Sequence, residues 1–184
     1  YQSADGTAHS PGDYLGPSGA VTIYAGNVSA TFNVQINEDA LDENDETFTV
    51  GLFNPVNATI ADGQGTGTIL DNDAPPALSI NDRTDFETNG MMMFTITLSA
   101  VSGRNVSVGY QTANGTAIAP GDYTATSGTA TILAGNTSTT IYIPINDDMI
   151  DETDETFTVN LINPVNATIA DAQGQGVIQD DDYP

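Results

Sequence analysis

The stretch DETFTVNLINPVNATIADAQGQG, which runs from Asp154 to Gly176, predicts β-structure. It opens with an alternating run of Thr, Phe, Val and Leu, the pattern of a half-buried strand, and continues into Asn-Pro and Asn-Ala turn formers. The chain carries nearly the same text, DETFTVGLFNPVNATIADGQGTG, from Asp45 to Gly67. Two copies of one strand–turn pattern indicate a repeat protein.

The repeat extends well beyond these stretches. Residues 1–75 align with residues 110–184 without a gap and are identical at roughly 60% of positions. The segment Pro76–Gly109 has no counterpart elsewhere in the chain. We therefore expect residues 76–184 to form one complete repeat and residues 1–75 to form a partial repeat that lacks its first strands.

The complete repeat contains only strand-like segments between turn formers, and we find no amphipathic stretch of helical length. Seven short strands in roughly a hundred residues are typical of an immunoglobulin-like sandwich. We therefore predict an all-β chain of tandem antiparallel β-sandwiches with about seven strands each. The strand-like segments are ALSI, MMFTITLS, VSVGYQT, GTATIL, TSTTIYIPI, ETFTVNLI and GQGVIQD.

The composition is strongly acidic. Asp and Glu number 25 against 2 basic residues, which gives a formal net charge of −23. Such a charge repels nucleic acid and anionic membranes, and no apolar run is long enough to span a bilayer. We therefore expect no nucleic-acid partner and no membrane insertion. The chain has no Cys, which excludes disulfides, thiolate metal sites and a Cys nucleophile.

The acids are concentrated in two kinds of run that occur once in each repeat. The longer run is NDDMIDETDETFTV in the complete repeat and NEDALDENDETFTV in the partial one; the shorter is QDDD or LDND at the repeat's end. A solvated acidic loop is one explanation. The other is a divalent cation, which would relieve the repulsion between crowded carboxylates. An all-oxygen ligand set without Cys favours Ca²⁺ over Zn²⁺, and Mg²⁺ rarely occupies an all-protein cage.

These motifs resemble the Calx-beta family, whose domains occur in sodium–calcium exchanger regulatory loops and in large surface proteins. The resemblance rests on the "DY…SGT…G", "DD…DE.DE.F" and terminal "DDD" elements, and it covers both repeats. It implies a seven-stranded β-sandwich that binds Ca²⁺ in loops at one end.

The resemblance also implies a set of calcium ligands. In the partial repeat Asn72 stands where the complete repeat has Asp181, and Glu87 has no counterpart, so we expect the first site to be less complete. The ligands implied in the complete repeat are Glu87, Asp122, Asp147, Asp148, Glu152, Glu155, Asp180, Asp181 and Asp182, and those in the partial repeat are Asp13, Glu38, Asp39, Glu43, Glu46, Asp71 and Asp73.

From these features we expect an extracellular or cell-surface module of an adhesin or filament, in which Ca²⁺ rigidifies loops and domain junctions. Its partners would be calcium ions and neighbouring Calx-beta repeats, in the same chain or head to tail in an adjacent one. The alternatives are a regulatory calcium sensor of a membrane protein and a carbohydrate-binding surface module. We do not expect an enzyme, because the acids belong to a repeated module with no Trp and no obvious cleft.

Overall fold

A computed structural model describes residues 1–183 of the chain. It divides into two compact units, Tyr1–Asp73 (unit 1) and Ala74–Pro184 (unit 2). Both units are built from β-strands, and a single 3-10 turn at Glu87–Asn89 in unit 2 is the helical element of the described residues. The prediction of an all-β, immunoglobulin-like fold is confirmed.

Unit 2 consists of two sheets. One has the strand order β10-β9-β12-β14-β7, and the other has the order β11-β8-β6-β13. Pairing is antiparallel except for β14 with β7 and β13 with β6, which are parallel. The strands are β6 (Ala77–Ile80), β7 (Arg83–Phe86), β8 (Met91–Leu98), β9 (Val106–Asn114), β10 (Ser127–Ile132), β11 (Ser138–Pro144), β12 (Glu155–Val165), β13 (Thr168–Ile169) and β14 (Gln173–Gln179).

The core of unit 2 follows from the alternation of its strands. Along β8, every second side chain from Met92 to Leu98 is buried, while Met91 and Met93 point outward. The inward side chains pack against those of the other sheet, where the ring of Phe157 lies edge-on to Phe94. Burial of these apolar side chains is the main force that holds the two sheets together.

The parallel pairing of β7 with β14 positions one end of unit 2. Phe86 lies opposite Gln179, so the residues that follow, Glu87 and Asp180, leave the sheet side by side. Gly90 then ends the 3-10 turn with φ of 66°, a left-handed conformation that glycine adopts without strain. Two separate segments of sequence are thereby brought to the same end of the sandwich.

Unit 1 has fewer strands than its repeat partner. It has a three-stranded sheet, β1-β4-β5, and a short pair, β2-β3. Residues 19–34, whose counterparts form β10 and β11 in unit 2, form no strand. In unit 2 these strands pair with β8 and β9, which lie largely in the Pro76–Gly109 segment that unit 1 does not possess. The strands are β1 (Gln2–Asp5), β2 (Tyr14–Leu15), β3 (Gln35–Ile36), β4 (Glu46–Gly51) and β5 (Gln64–Ile69).

Unit 1 nevertheless keeps the aromatic packing of the repeat. Tyr14 stacks on Phe48 with ring centroids 4.4 Å apart, as Tyr123 stacks on Phe157 at 4.6 Å in unit 2. The hydroxyl of Tyr14 donates a hydrogen bond to Asp5, as that of Tyr123 does to Asn114. The two repeats therefore share their local packing where both have the same sequence.

Candidate metal centre

The first acidic cluster of unit 2 joins three loop and strand-end residues. Carboxylate oxygens of Asp122, Glu152 and Glu155 lie within 4.8 Å of one another. Glu155 begins β12, whereas Asp122 lies in the loop between β9 and β10. Carboxylate oxygens at these separations can share one cation, because Ca²⁺ holds each ligand oxygen at about 2.3–2.6 Å.

The second cluster of unit 2 is centred on Glu87. Its carboxylate lies within 4.8 Å of Asp180 and Asp182, and also of Asp147 and Asp181. Glu87 is only 6% exposed, and its Oε1 atom is buried without a hydrogen-bond partner among the described residues. The same is true of Oδ2 of Asp182. Two buried, unsatisfied carboxylate oxygens at one place are costly in the absence of a cation.

Hydrogen bonds between side chains and the backbone fix the loops that carry these acids. The side-chain amide of Asn146 donates to the carbonyls of Pro120 and Gly121, at 2.8 and 2.6 Å, and so ties one acidic loop to the other. The N–H of Ile118 donates to Oδ2 of Asp122 at 2.6 Å, which orients that carboxylate. The fold thus holds these carboxylates together in spite of their mutual repulsion.

Burial and mutual repulsion raise the pKa values of the clustered acids. The pKa of Glu87 is raised from 4.5 to about 7. Burial is the largest cause, and repulsion from Asp180 and Asp182 comes next. Burial, followed by a hydrogen bond with Asp122, raises the pKa of Glu155. Arg83 cannot relieve this charge, because its guanidinium is paired with Asp85 at 2.7 Å.

Unit 1 repeats part of this arrangement. Asp13, Glu43 and Glu46 place carboxylate oxygens within 4.8 Å of one another, as their counterparts do in unit 2. Asn37 donates to the carbonyls of Pro11 and Gly12, the same clamp that Asn146 makes. The predicted ligands Glu38, Asp39, Asp71 and Asp73 line the same cavity.

The two units differ at the second cluster. The amide of Asn72 donates to Glu38 at 2.9 Å, so this position in unit 1 presents a donor instead of a third carboxylate. In unit 2 its counterpart, Asp181, accepts a hydrogen bond from Thr88 at 2.8 Å. No residue of unit 1 takes the place of Glu87, and the cavity there is much larger than in unit 2.

Most of the predicted site residues of unit 2 therefore meet in space. Asp148 alone lies outside the tight groups, but it lines the cavity with Glu87 and Glu152. Its Oδ1 accepts the N–H of Ile150 at 2.7 Å. The sequence did not single out the clamping asparagines or Thr88; the Asn that directly precedes each long acidic run was the available signal.

The donor set fits a hard, oxygen-seeking cation. The clustered groups are all carboxylates, and no imidazole or thiol joins them among the described residues. Ca²⁺ takes six to eight such ligands in flexible geometry, and it would satisfy the buried oxygens of Glu87 and Asp182. An immunoglobulin-like sandwich with a hard-cation site among the loops at one end defines the class of protein.

Comparison with known proteins places the chain more narrowly. The model of the Calx-beta domain family matches residues 1–73 and 71–182. The chain belongs to the Calx-beta domain family. The sodium/calcium exchanger Calx of Drosophila melanogaster is 27% identical over 168 residues, which is 89% of this chain but 18% of the exchanger.

Solved structures agree with this assignment. The apo form of the Calx CBD1 domain is 25% identical with a TM-score of 0.54, over 58% of this chain and 99% of that domain. The calcium binding domain CBD12 of CALX1.1 is 25% identical with a TM-score of 0.55, over 58% of this chain and 46% of that structure. Calcium is thus the ion of this family, as the sequence predicted.

The expectation of an extracellular or cell-surface location is wrong. The relatives named above are a sodium/calcium exchanger and Calx domains, and not adhesins or filament proteins of the cell surface. The expectation came from the surface proteins in which the family also occurs, and no residue of the chain carried it. Within residues 1–183, no helix has the length and apolar character needed to cross a bilayer.

Proposed function

We propose that this chain is a calcium-sensing regulatory domain pair. Each unit is a Calx-beta repeat, residues 1–75 partial and residues 76–184 complete, and the predicted acids are the ligands. In this function the ion binds among the loops at one end of the sandwich and replaces repulsion between carboxylates with attraction to a shared cation. The bound and free states then differ in loop order, which is the change that a sensor must transmit.

The observation that carries this proposal is the burial of Glu87 in unit 2. A carboxylate that is 6% exposed, has one unpaired oxygen and is surrounded by aspartates has no favourable partner except a cation. A merely solvated acidic face would keep its carboxylates in water, where each could hydrate fully. The arrangement therefore favours an ion site over the alternative of a solvated loop.

A regulatory role is favoured over a structural one by the relatives. The matched structures are the Calx CBD1 domain and the calcium binding domain CBD12 of CALX1.1. The adhesin or filament interpretation depended on an extracellular location, and it loses its support with that location.

Calorimetric titration of calcium-stripped protein tests the proposal. We expect saturable Ca²⁺ binding that excess Mg²⁺ does not abolish, because Mg²⁺ gives up its waters reluctantly. The Glu155→Gln variant should bind Ca²⁺ more weakly in unit 2. Asp171→Asn is the matched control, because Asp171 is an exposed acid whose bond from the N–H of Gln173 an Asn oxygen can also accept. Absence of Ca²⁺ binding to the wild-type chain would exclude the proposed function.

A further inference from the structure

Two of the strands that end the sheets of unit 2 lack the usual protection of a sheet edge. Within the described residues the edge strands are β10 and β7 in one sheet and β11 and β13 in the other. β13 is only two residues long, and β7 carries the paired charges of Arg83 and Asp85. Short length and charge keep an open strand from pairing with another chain. β10 and β11 have neither, so another strand can add to them.

The β10 and β11 edges are uncharged, although the chain has a formal net charge of −23. No Asp, Glu, Lys, Arg or His lies between Asp122 and Asp147, and this segment contains both strands. Two copies of the chain repel each other wherever their acids approach. An uncharged edge is therefore the part of unit 2 at which two copies meet with the least electrostatic cost.

Alternate backbone groups of β11 point away from its sheet. The N–H of Ile145 donates to the carbonyl of Gly90, just before β8. The carbonyl of Thr137 accepts the N–H of Leu98, at the end of β8. The odd-numbered residues of β11 therefore face β8, and in an antiparallel pair the residues between them direct their N–H and C=O to the other side. These residues are Ser138, Thr140 and Tyr142. All three side chains are exposed.

Apolar side chains lie on the outer face beside this edge. Tyr142 is 53% exposed, and its cross-strand neighbour Met93 is 38% exposed. Met91, two residues before it on β8, is 47% exposed. The exposed side chains of β10 are Ser and Thr. Association along β11 therefore covers apolar surface, whereas association along β10 does not.

We propose that the β11 edge is the surface through which two copies of this chain associate, with β11 of one copy antiparallel to β11 of the other. A two-fold axis makes each contact occur twice, so the register is fixed by the residue at the axis. Thr140 is the middle one of the three outward-facing residues. With the axis there, Thr140 faces Thr140 of the second copy, and Ser138 faces Tyr142. Each pair exchanges both N–H···O bonds, and the two sheets join into one.

The chemistry of this register favours a second copy over an unlike partner. Two threonines directly opposite each other form a favourable cross-strand pair, and the small Ser138 lies beside the ring of Tyr142. No charged residue of either strand faces another. A basic segment would gain nothing along residues 138–142, because the acids that would attract it lie in the loops at the end of the sandwich.

Sedimentation velocity of the full chain, over a range of protein concentration up to the solubility limit, tests the association. The buffer contains EDTA and about 0.15 M salt, where the Debye length of about 8 Å screens distant acids but leaves charges in contact effective. We expect a monomer–dimer equilibrium that becomes weaker at lower salt, because the net charge of the two copies then repels over a longer range. The N–H groups of Ser138, Thr140 and Tyr142 should exchange more slowly as the dimer forms.

Charge at the two-fold axis tests the register. Thr140→Glu and Thr140→Lys should each weaken the dimer by at least about tenfold, because like charges then lie directly opposite each other. An equimolar mixture of the two variants should restore the dimer, because Glu then faces Lys. Gln175→Glu is the matched control: it adds a carboxylate at an exposed position of β14, an interior strand of the other sheet, and should leave the dimer unchanged.

Three results would overturn the proposal. The first is a chain that stays monomeric at every concentration. The second is a dimer that Thr140→Glu leaves intact and Thr131→Glu disrupts, which would place the contact at β10. The third is a mixture of the Glu and Lys variants that remains monomeric. Because every measurement is made in EDTA, the outcome does not depend on whether the chain binds Ca²⁺.

Discussion

Replacing Glu87 with Gln should stabilise the calcium-free protein and weaken calcium binding at the same time. Burial and the surrounding aspartates raise the pKa of Glu87 from 4.5 to about 7. Each unit of such a shift corresponds to about 1.4 kcal/mol between the two protonation states. Above pH 7 the ionised side chain therefore costs the calcium-free fold up to about 3 kcal/mol, and Gln removes that cost without changing the size of the side chain.

The sign of the pH dependence follows from the same shift. Because the folded state holds the proton of Glu87 more tightly than the unfolded chain, the contribution to stability is fully present below pH 4.5. It is lost as the pH rises from 4.5 to about 7. Calcium-free wild-type unit 2 should therefore be more stable at pH 5 than at pH 8 through this group, and Glu87→Gln should flatten that dependence.

Urea unfolding in EDTA at pH 5 and pH 8, followed by the same series in calcium, measures both effects. The variant should gain stability at pH 8 in EDTA, gain little at pH 5, and respond less than wild type to calcium. Unit 1 has no counterpart of Glu87 and provides an internal reference that should not move. A loss of stability at pH 8 in EDTA would show that Glu87 is satisfied by a contact other than a cation, and the reasoning from its burial would be refuted.

Three further predictions follow from the geometry. Calcium in hundredfold excess over Kd should stabilise the fold by about 2.7 kcal/mol, so EDTA should lower the melting temperature and calcium should restore it better than magnesium; identical melting curves would contradict a metal site. Glu152→Gln should weaken only the unit 2 site in a calcium titration, and Glu43→Gln only the unit 1 site, because each side chain lies in its own cluster. Gly90→Ala should cost unit 2 about 1–2 kcal/mol in urea unfolding, because φ is 66° there, whereas Gly65→Ala, with open space around it, is the control and should cost unit 1 much less.

The sequence predicted those strands whose hydrophobic alternation is strong. The run MMFTITLS became β8 within a residue at each end, and ETFTVNLI begins β12 at Glu155 as expected. It did not predict β7, because Arg83–Phe86 carries two charges and little alternation. That strand forms through its parallel pairing with β14, a non-local contact that a local pattern does not encode.

Residues 18–34 of unit 1 also show that a local sequence pattern does not determine a strand. Residues 18–34 have nearly the strand pattern of their counterparts, yet they pair with another segment only at Ser18 and Gly19, which lie beside Gln2 and Tyr1. A strand is stabilised by cross-strand partners and by burial of one face, and both come from a segment distant in sequence. Propensity alone therefore does not decide whether residues 18–34 form strands.

The clusters themselves were more predictable than the strands. Repetition showed which acids recur, and their positions at strand ends brought them to one end of each unit. The burial of Glu87 could not be predicted, because it depends on the 3-10 turn and on the pairing of β7. The clamps made by Asn146 and Asn37 depend equally on loops that meet only in the folded chain.

In the proposed function, the two units are unequal calcium sites for a physical reason. Unit 2 has Glu87 and Asp181 at its second cluster, whereas unit 1 has no counterpart of the first and Asn72 in place of the second. Fewer carboxylates give weaker attraction for a divalent cation but also less repulsion in its absence. We therefore expect the stability of unit 2 to depend more on the ion than that of unit 1. Partial loss of calcium should therefore act on the units to different extents, which allows one chain to respond over a wider range of calcium concentration than two identical sites would.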